Sequence, residues 1–262
     1  MTPTPHSFYL NLIAIQTLLR KEVLRFTRIW SQTLLPPAIT MSLYFIIFGK
    51  FIGSQIKQIE GYSYIQYIVP GLIMMSIMTN AYANTASSFF LTKFTRSIEE
   101  MLVSPMSSVV ILIGFMLGGT LRGVLVGVIV LLVSLLFTSI PIYHLSLVLI
   151  MSVLAAMVFS LGGLINAIYA KRFDDISFIP TFVLTPLTYL GGVFYSIQQL
   201  PPFWRTVSAF NPILIMVDSF RYGMLQVSDL NIYFGMSLVC LLLIGLFGFA
   251  WLLLHKGIGI KV

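Results

Sequence analysis

Runs of about twenty apolar residues, seldom interrupted by a charge, recur from about Leu34 to Leu254. A hydrocarbon layer about 30 Å thick is crossed by about 20 such residues in a helix, because every backbone N–H and C=O must find its partner inside the segment when no water is at hand. The runs place six spans, at roughly 33–53, 64–90, 107–137, 145–170, 176–195 and 232–254. Charged residues make up 9% of the 262, against about a quarter in soluble domains, and the mean hydropathy is +0.98. The chain therefore reads as one all-α integral membrane domain over 1–262 with no soluble catalytic domain attached. Its single cysteine, Cys240, lies in an apolar run and builds neither a disulfide framework nor a thiolate metal site.

The first charge is Arg20 and no small-residue cleavage site follows an apolar core, so the N-terminus is expected to be retained rather than removed as a signal peptide. Across 8–30, Leu12, Ile15, Leu19, Val23, Phe26 and Trp30 recur at helical spacing while Gln16, Arg20, Arg25 and Arg28 fall largely elsewhere. That pattern predicts a helix lying in the headgroup layer, aromatic side in lipid and arginines near anionic phosphates. Cations then sort by side. Arg20, Lys21, Arg25, Arg28, Lys93, Arg96, Lys171, Arg172, Lys256 and Lys261 flank one face of the six spans, and only Lys50, Lys57, Arg205 and Arg221 the other, which predicts both termini in the cytoplasm.

The segment "KFTRSIEEMLVSPMSS" then becomes an inner loop between spans two and three. Phe94, Ile98, Met101 and Leu102 repeat at four, three and one, with Arg96, Glu99 and Glu100 on other faces, which predicts a short amphipathic helix within 93–106, ending near Pro105. Such a helix offers an apolar ridge flanked by charge to a partner's groove; the plain alternative is a solvated turn. Span two carries Ser76, Asn80, Asn84 and Ser87 along one face, a row that suits either a transport path, a dimer seam or hydrogen bonding between helices. Arg122 lies near the middle of span three, beside Gly118, Gly119, Gly123 and Gly127. An ionisable group at that depth must face protein or water, and it is a functional candidate or a structurally paired cation.

After span five, the stretch 196–230 is too apolar for an ordinary loop yet is broken by Pro201, Pro202 and Pro212 and charged at Arg205, Asp218 and Arg221. Asn211 before Pro212 has the chemistry of a helix start, and Asp218 and Arg221 sit three apart on the helix that follows. A pair of short helices re-entering from the outer side is expected; a surface cap with a solvated ion pair is the other reading.

The order of these features, an amphipathic N-terminal helix, six spans, the inner "RSIEEMLVSP" and the late "LTPLTYLGGVFYSIQQLPPFWRTVSAFNPILIMVDSFRYG", resembles the ABC-2 type membrane permeases. The resemblance covers nearly the whole chain, and the late block is its most specific part. It implies a bacterial-type inner membrane exporter in which a homodimer of this chain works with two copies of a cytoplasmic ABC ATPase. It further implies that the inner loop is the coupling helix, with Arg96, Glu99 and Glu100 setting register and Ile98, Met101 and Leu102 filling a groove. In the late block it implies an outer gate, carried by Phe203, Trp204, Asp218 and Arg221. Asn80, Asn84 and Arg122 are the candidates for a pathway or dimer seam.

No G-x-x-x-x-G-K-[ST] loop occurs, so ATP and Mg are expected on the partner subunit and no cofactor in this chain. No catalytic or metal-ligating set is expected either: His6, His144 and His255 stand outside the spans and away from one another. Membrane lipids are expected partners, and nucleic acid is not. An ion-driven secondary transporter and a non-transporting scaffold are the competing functions; the first is weakened by spans without an acidic residue. Short outer loops exclude a large extracellular receptor domain and point to cargo arriving from the inner side; that the cargo is amphipathic, lipid-like, polysaccharide or drug is what the family resemblance implies.

Overall fold

A computed structural model describes residues 5–53, 55–56, 58–104 and 106–259. Pro105, where the inner helix was expected to end, and Lys57 and Lys261, two of the sorted cations, lie outside the described residues. In chain order the helices are α1 (Pro5–Arg28), α2 (Trp30–Thr33), α3 (Leu35–Tyr44), α4 (Tyr64–Phe94), α5 (Ser97–Val103), α6 (Ser108–Ser134), α7 (Leu145–Tyr169), α8 (Phe173–Ile179), α9 (Thr185–Tyr189), α10 (Pro202–Ala209), α11 (Pro212–Leu225) and α12 (Ile232–Lys256). A wide π-helical turn continues α3 through Phe45–Ile52, and another, Pro180–Leu184, joins α8 to α9.

Four helical segments among the described residues are long and apolar enough to cross a bilayer: Trp30–Gly49, Ser108–Ser134, Leu145–Tyr169 and Ile232–Lys256. The other two expected spans differ for separate reasons. Residues 64–90 fall within α4, 31 residues or about 46 Å long, whose hydroxyl and amide side chains dilute its apolar character. Residues 176–195 are not one straight helix. Pro180 and Pro186 each remove a backbone donor, the π-helical turn forms between them, and α9 ends at Tyr189 before a tight turn at Gly192, whose φ of +65° suits a residue without a Cβ.

α4 is the central mast. It packs along α6 and α7 and meets α11 at one end and α5 at the other. Backbones come close where glycine permits: a Cβ at Gly123 would stand 2.7 Å from the Ile77 carbonyl and 2.8 Å from the Ala81 Cβ. Two apolar clusters fill the bundle. One gathers Ile68, Leu72, Met74, Val126, Met151 and Phe220; the other gathers Phe89, Ile98, Ile111, Phe115, Leu164 and Leu253. Near the boundary between them, the Thr85 and Ser160 hydroxyls meet at 2.6 Å, and Ser160 donates to the Met116 carbonyl at 2.9 Å.

α1 does not turn the whole of its expected lipid-facing stripe outward. Leu18, Glu22 and Phe26, spaced by four, are buried in the protein, while Tyr9, Leu10, Leu12 and Trp30 are exposed. The reason lies on α6: Gly114 faces the Leu18 side chain and Gly118 faces Glu22, so a groove of matching spacing receives the ridge of α1. The chain then bends at Ile29, and the Thr33 hydroxyl donates to the Phe26 carbonyl at 2.8 Å across the bend.

Candidate functional site

The buried face of α1 brings a carboxylate between α4 and α6. Glu22 is 1% exposed and accepts from the Ser88 hydroxyl of α4 at 2.5 Å. Arg25, one turn on, pairs with Glu22 at 3.3 Å, the one ion pair among the described residues. The same guanidinium donates to the Asn84 side-chain oxygen at 2.7 Å and to its backbone carbonyl at 3.0 Å. Arg25 was expected among lipid phosphates. It turns inward because a carboxylate and an amide oxygen wait there, whereas Arg20, Lys21 and Arg28 stay exposed. Lys21 keeps its ammonium 5.9 Å from the Phe115 ring.

Arg122 of α6 reaches the same amide oxygen of Asn84, at 3.4 Å. Two guanidinium groups thus share one neutral acceptor. Glu22 is the carboxylate of this group and it faces Arg25, so the assembly carries one positive charge in excess. Buried polar atoms remain without partners: the Nε of Arg25, the Nε of Arg122 and the Nδ2 of Asn84. On its other side Arg122 lines a cleft of about 350 Å³ between α2, α3 and α4, together with Gln32, Thr40, Ser76, Thr79 and Asn80. Of the polar row on α4, Asn80 faces this cleft and Asn84 the junction behind it; Asn80 also donates to the Ser76 carbonyl at 3.0 Å. A separate groove of about 600 Å³ on α1 is lined by Arg20, Lys21, Arg25 and Arg28.

At the inner loop, α5 forms as the amphipathic spacing predicts, but with a different face outward. Ile98 is 1% exposed and belongs to the apolar core, and Met101 packs against it. Neither is free to fill a partner's groove, because the left-handed backbone of Arg96, φ +61°, turns α5 back onto α4. The exposed side holds Arg96, Glu99, Glu100, Leu102 and Val103, the last 89% exposed. Lys93, just before it, is anchored: its ammonium donates to the carbonyls of Ile168 at 2.7 Å and Ala170 at 2.8 Å, the open C-terminus of α7. Burial, with Lys171 nearby, pushes the Lys93 ammonium below its ordinary pKa. Beside it, "KRFDD" is a helix start: Asp175 accepts from the N–H groups of Lys171 and Arg172 at 2.8 and 2.9 Å.

In the late block, Asp218 and Arg221 form no solvated ion pair. Both are buried. Asp218 accepts from the Ser228 hydroxyl at 2.7 Å and from the N–H groups of Asp229 and Leu230, tying down the turn after α11. Arg221 donates to the Gly192 carbonyl and lies 4.2 Å from the centre of the Tyr67 ring. Asn211 caps α11 by accepting from the Ile213 N–H at 2.9 Å, as the Asn-Pro pair predicts. Phe203 and Trp204 project from α10, exposed and edge to face at 5.4 Å.

Glu22 and Ser88 were missed by sequence reasoning. A lone acid among four cations reads as a solvated partner, and its receiving glycines lie about 95 residues further along, beyond any local periodicity.

The profile of the ABC-2 type transporter family matches residues 13–225, which include α2 to α11 in full. Inner membrane transport permease YadH of Escherichia coli (strain K12) is 51% identical over 253 residues, covering 97% of this chain and 99% of that protein. Nodulation protein J of Rhizobium leguminosarum bv. viciae is 23% identical over 203 residues, covering 77% of this chain and 78% of its own length. Nodulation protein J of Neorhizobium galegae is likewise 23% identical, over 229 residues.

Proposed function

Since the chain belongs to the ABC-2 type transporter family, we propose that it is the membrane permease subunit of an exporter energised by a separate cytoplasmic ATPase. Two copies pair, each gripped by one ATPase subunit. Six crossings are made by the segment from α2 through Ile52, α4, α6, α7, the broken α8 to α9 segment, and α12, with both termini inside. α10 and α11 re-enter from the outer side. The excess of cations beside the inner ends supports this orientation.

The observation that carries the reading is α5. Ile98 fixes it to the bundle while Glu99, Glu100, Leu102 and Val103 face away, which leaves a charged and apolar surface at the inner junction of α4 and α6. With no nucleotide-binding loop in the chain, mechanical work has to enter through such a surface. Replacing Glu99→Lys and Glu100→Lys together is expected to abolish co-purification of the ATPase and ATP-dependent transport, with the permease still monodisperse in detergent. Undiminished capture and transport by that variant would overturn the assignment.

One observation favours an ion-driven carrier, the buried Glu22 carboxylate. Its pairing with Arg25 and Ser88 argues for a structural part. Proteoliposomes with an ion gradient and no ATPase separate the two: accumulation there belongs to the carrier reading.

A further inference from the structure

The cleft beside Arg122 lacks one thing, a negative charge. A guanidinium this deep in a membrane protein is expected to meet a carboxylate, a carbonyl or water. Arg122 makes one bond, long at 3.4 Å, to an oxygen that Arg25 already holds at 2.7 Å. Glu22 is engaged by Arg25 and Ser88. Among the described residues no acidic side chain lines the cleft, yet Gln32, Thr40 and Asn80 bring amide N–H and hydroxyl donors to it, while the Ser76 and Thr79 hydroxyls donate to the carbonyls of Leu72 and Met75. At about 350 Å³ it has room for a headgroup. Arg25, bonded to Asn84 behind it, also lines the basic groove on α1, so cationic groups lead from the inner surface toward Arg122.

We propose that this cleft binds an oxyanion, a phosphate or carboxylate, with Arg122 as its counter-ion and the amides of Asn80 and Gln32 as neutral partners. It is a subsite for the charged end of an amphipathic cargo whose apolar part stays in the bilayer. This deepens the transport reading and rests on it for the word cargo; the binding itself does not.

The test is calorimetric titration of the purified full chain in nanodiscs of neutral lipid, without ATPase, using dodecyl phosphate, inorganic phosphate and dodecyl maltoside. Wild type is expected to bind one dodecyl phosphate per chain. Arg122→Met is expected to weaken it about 10- to 100-fold, whereas Arg205→Gln at the exposed outer surface leaves it unchanged. Asn80→Asp, which puts a carboxylate beside Arg122 without changing shape, is expected to abolish binding, and it decides the matter if Arg122→Met does not fold. Binding of inorganic phosphate at similar strength assigns the site to a soluble anion; a requirement for the dodecyl chain assigns it to a lipid-like one. Absence of binding, equal binding of the maltoside, or full affinity in either folded variant overturns the proposal. Because no ATPase is present, failure here leaves the coupling role of α5 intact, and failure of ATPase capture leaves this site intact.

Discussion

Removing the carboxylate of Glu22 leaves Arg25 and Arg122 facing each other across Asn84 with nothing to offset them. Glu22→Gln is therefore expected to lower the stability of the detergent-solubilised chain by about 2–3 kcal/mol, the cost of breaking a buried pair reduced for the partial exposure of Arg25. Thermal unfolding followed by size exclusion measures it, with Arg20→Gln on the exposed side of α1 as the unaffected reference. At this scale the sequence was informative wherever a residue type was itself improbable. Arg122 stands out because arginine is rare within an apolar run. Asn211 stands out because asparagine before proline has a specific backbone use, and the capping bond it predicts is present. Glu22 stands out only once its neighbours in space are known, since its meaning comes from Ser88 and Gly118, far along the chain.

Helices that local periodicity describes well can still present the wrong side. In α5 the spacing of Phe94, Ile98, Met101 and Leu102 correctly indicates an amphipathic turn, but which apolar residues face inward is decided by the left-handed turn at Arg96. Ile98→Asp is accordingly expected to destabilise the permease itself, while Val103→Asp leaves its melting unchanged and lowers ATPase capture; the two are read from the same purification. In α1 the same kind of spacing located the helix to within a few residues at each end but did not show its protein-facing side, Leu18, Glu22 and Phe26, which the groove on α6 selects. The start of α8 provides a test with pH. The Lys171 N–H, then that of Arg172, hold the Asp175 carboxyl below the usual carboxylate range. A group lowered on folding stabilises above its unfolded pKa and loses that contribution as pH falls through the lowered value. Relative to the intrinsic exchange rate at each pH, the Lys171 and Arg172 amides should be protected at neutral pH and lose that protection well below pH ~4, whereas Asp175→Ala lacks it throughout.

Across the whole molecule, the apolar runs were legible because the bilayer imposes length and composition at once, and the break within 176–195 is marked by Pro180 and Pro186, whereas no proline marks the π-helical turn Phe45–Ile52. What local patterns do not disclose is which helices meet. The role of α1 shows it: a segment with the composition of a surface anchor is a structural wall of the bundle, closing a glycine groove and neutralising part of a buried cationic pair. Deleting 1–28 is expected to yield aggregated protein rather than a permease that floats free of its anchor, and the elution profile of the membrane extract decides between these. At the corner beside α5, the two hydrogen bonds from Lys93 to the end of α7 have a mechanical consequence. They join the feet of two long helices, so a torque delivered there would turn α4 and α7 together rather than α4 alone.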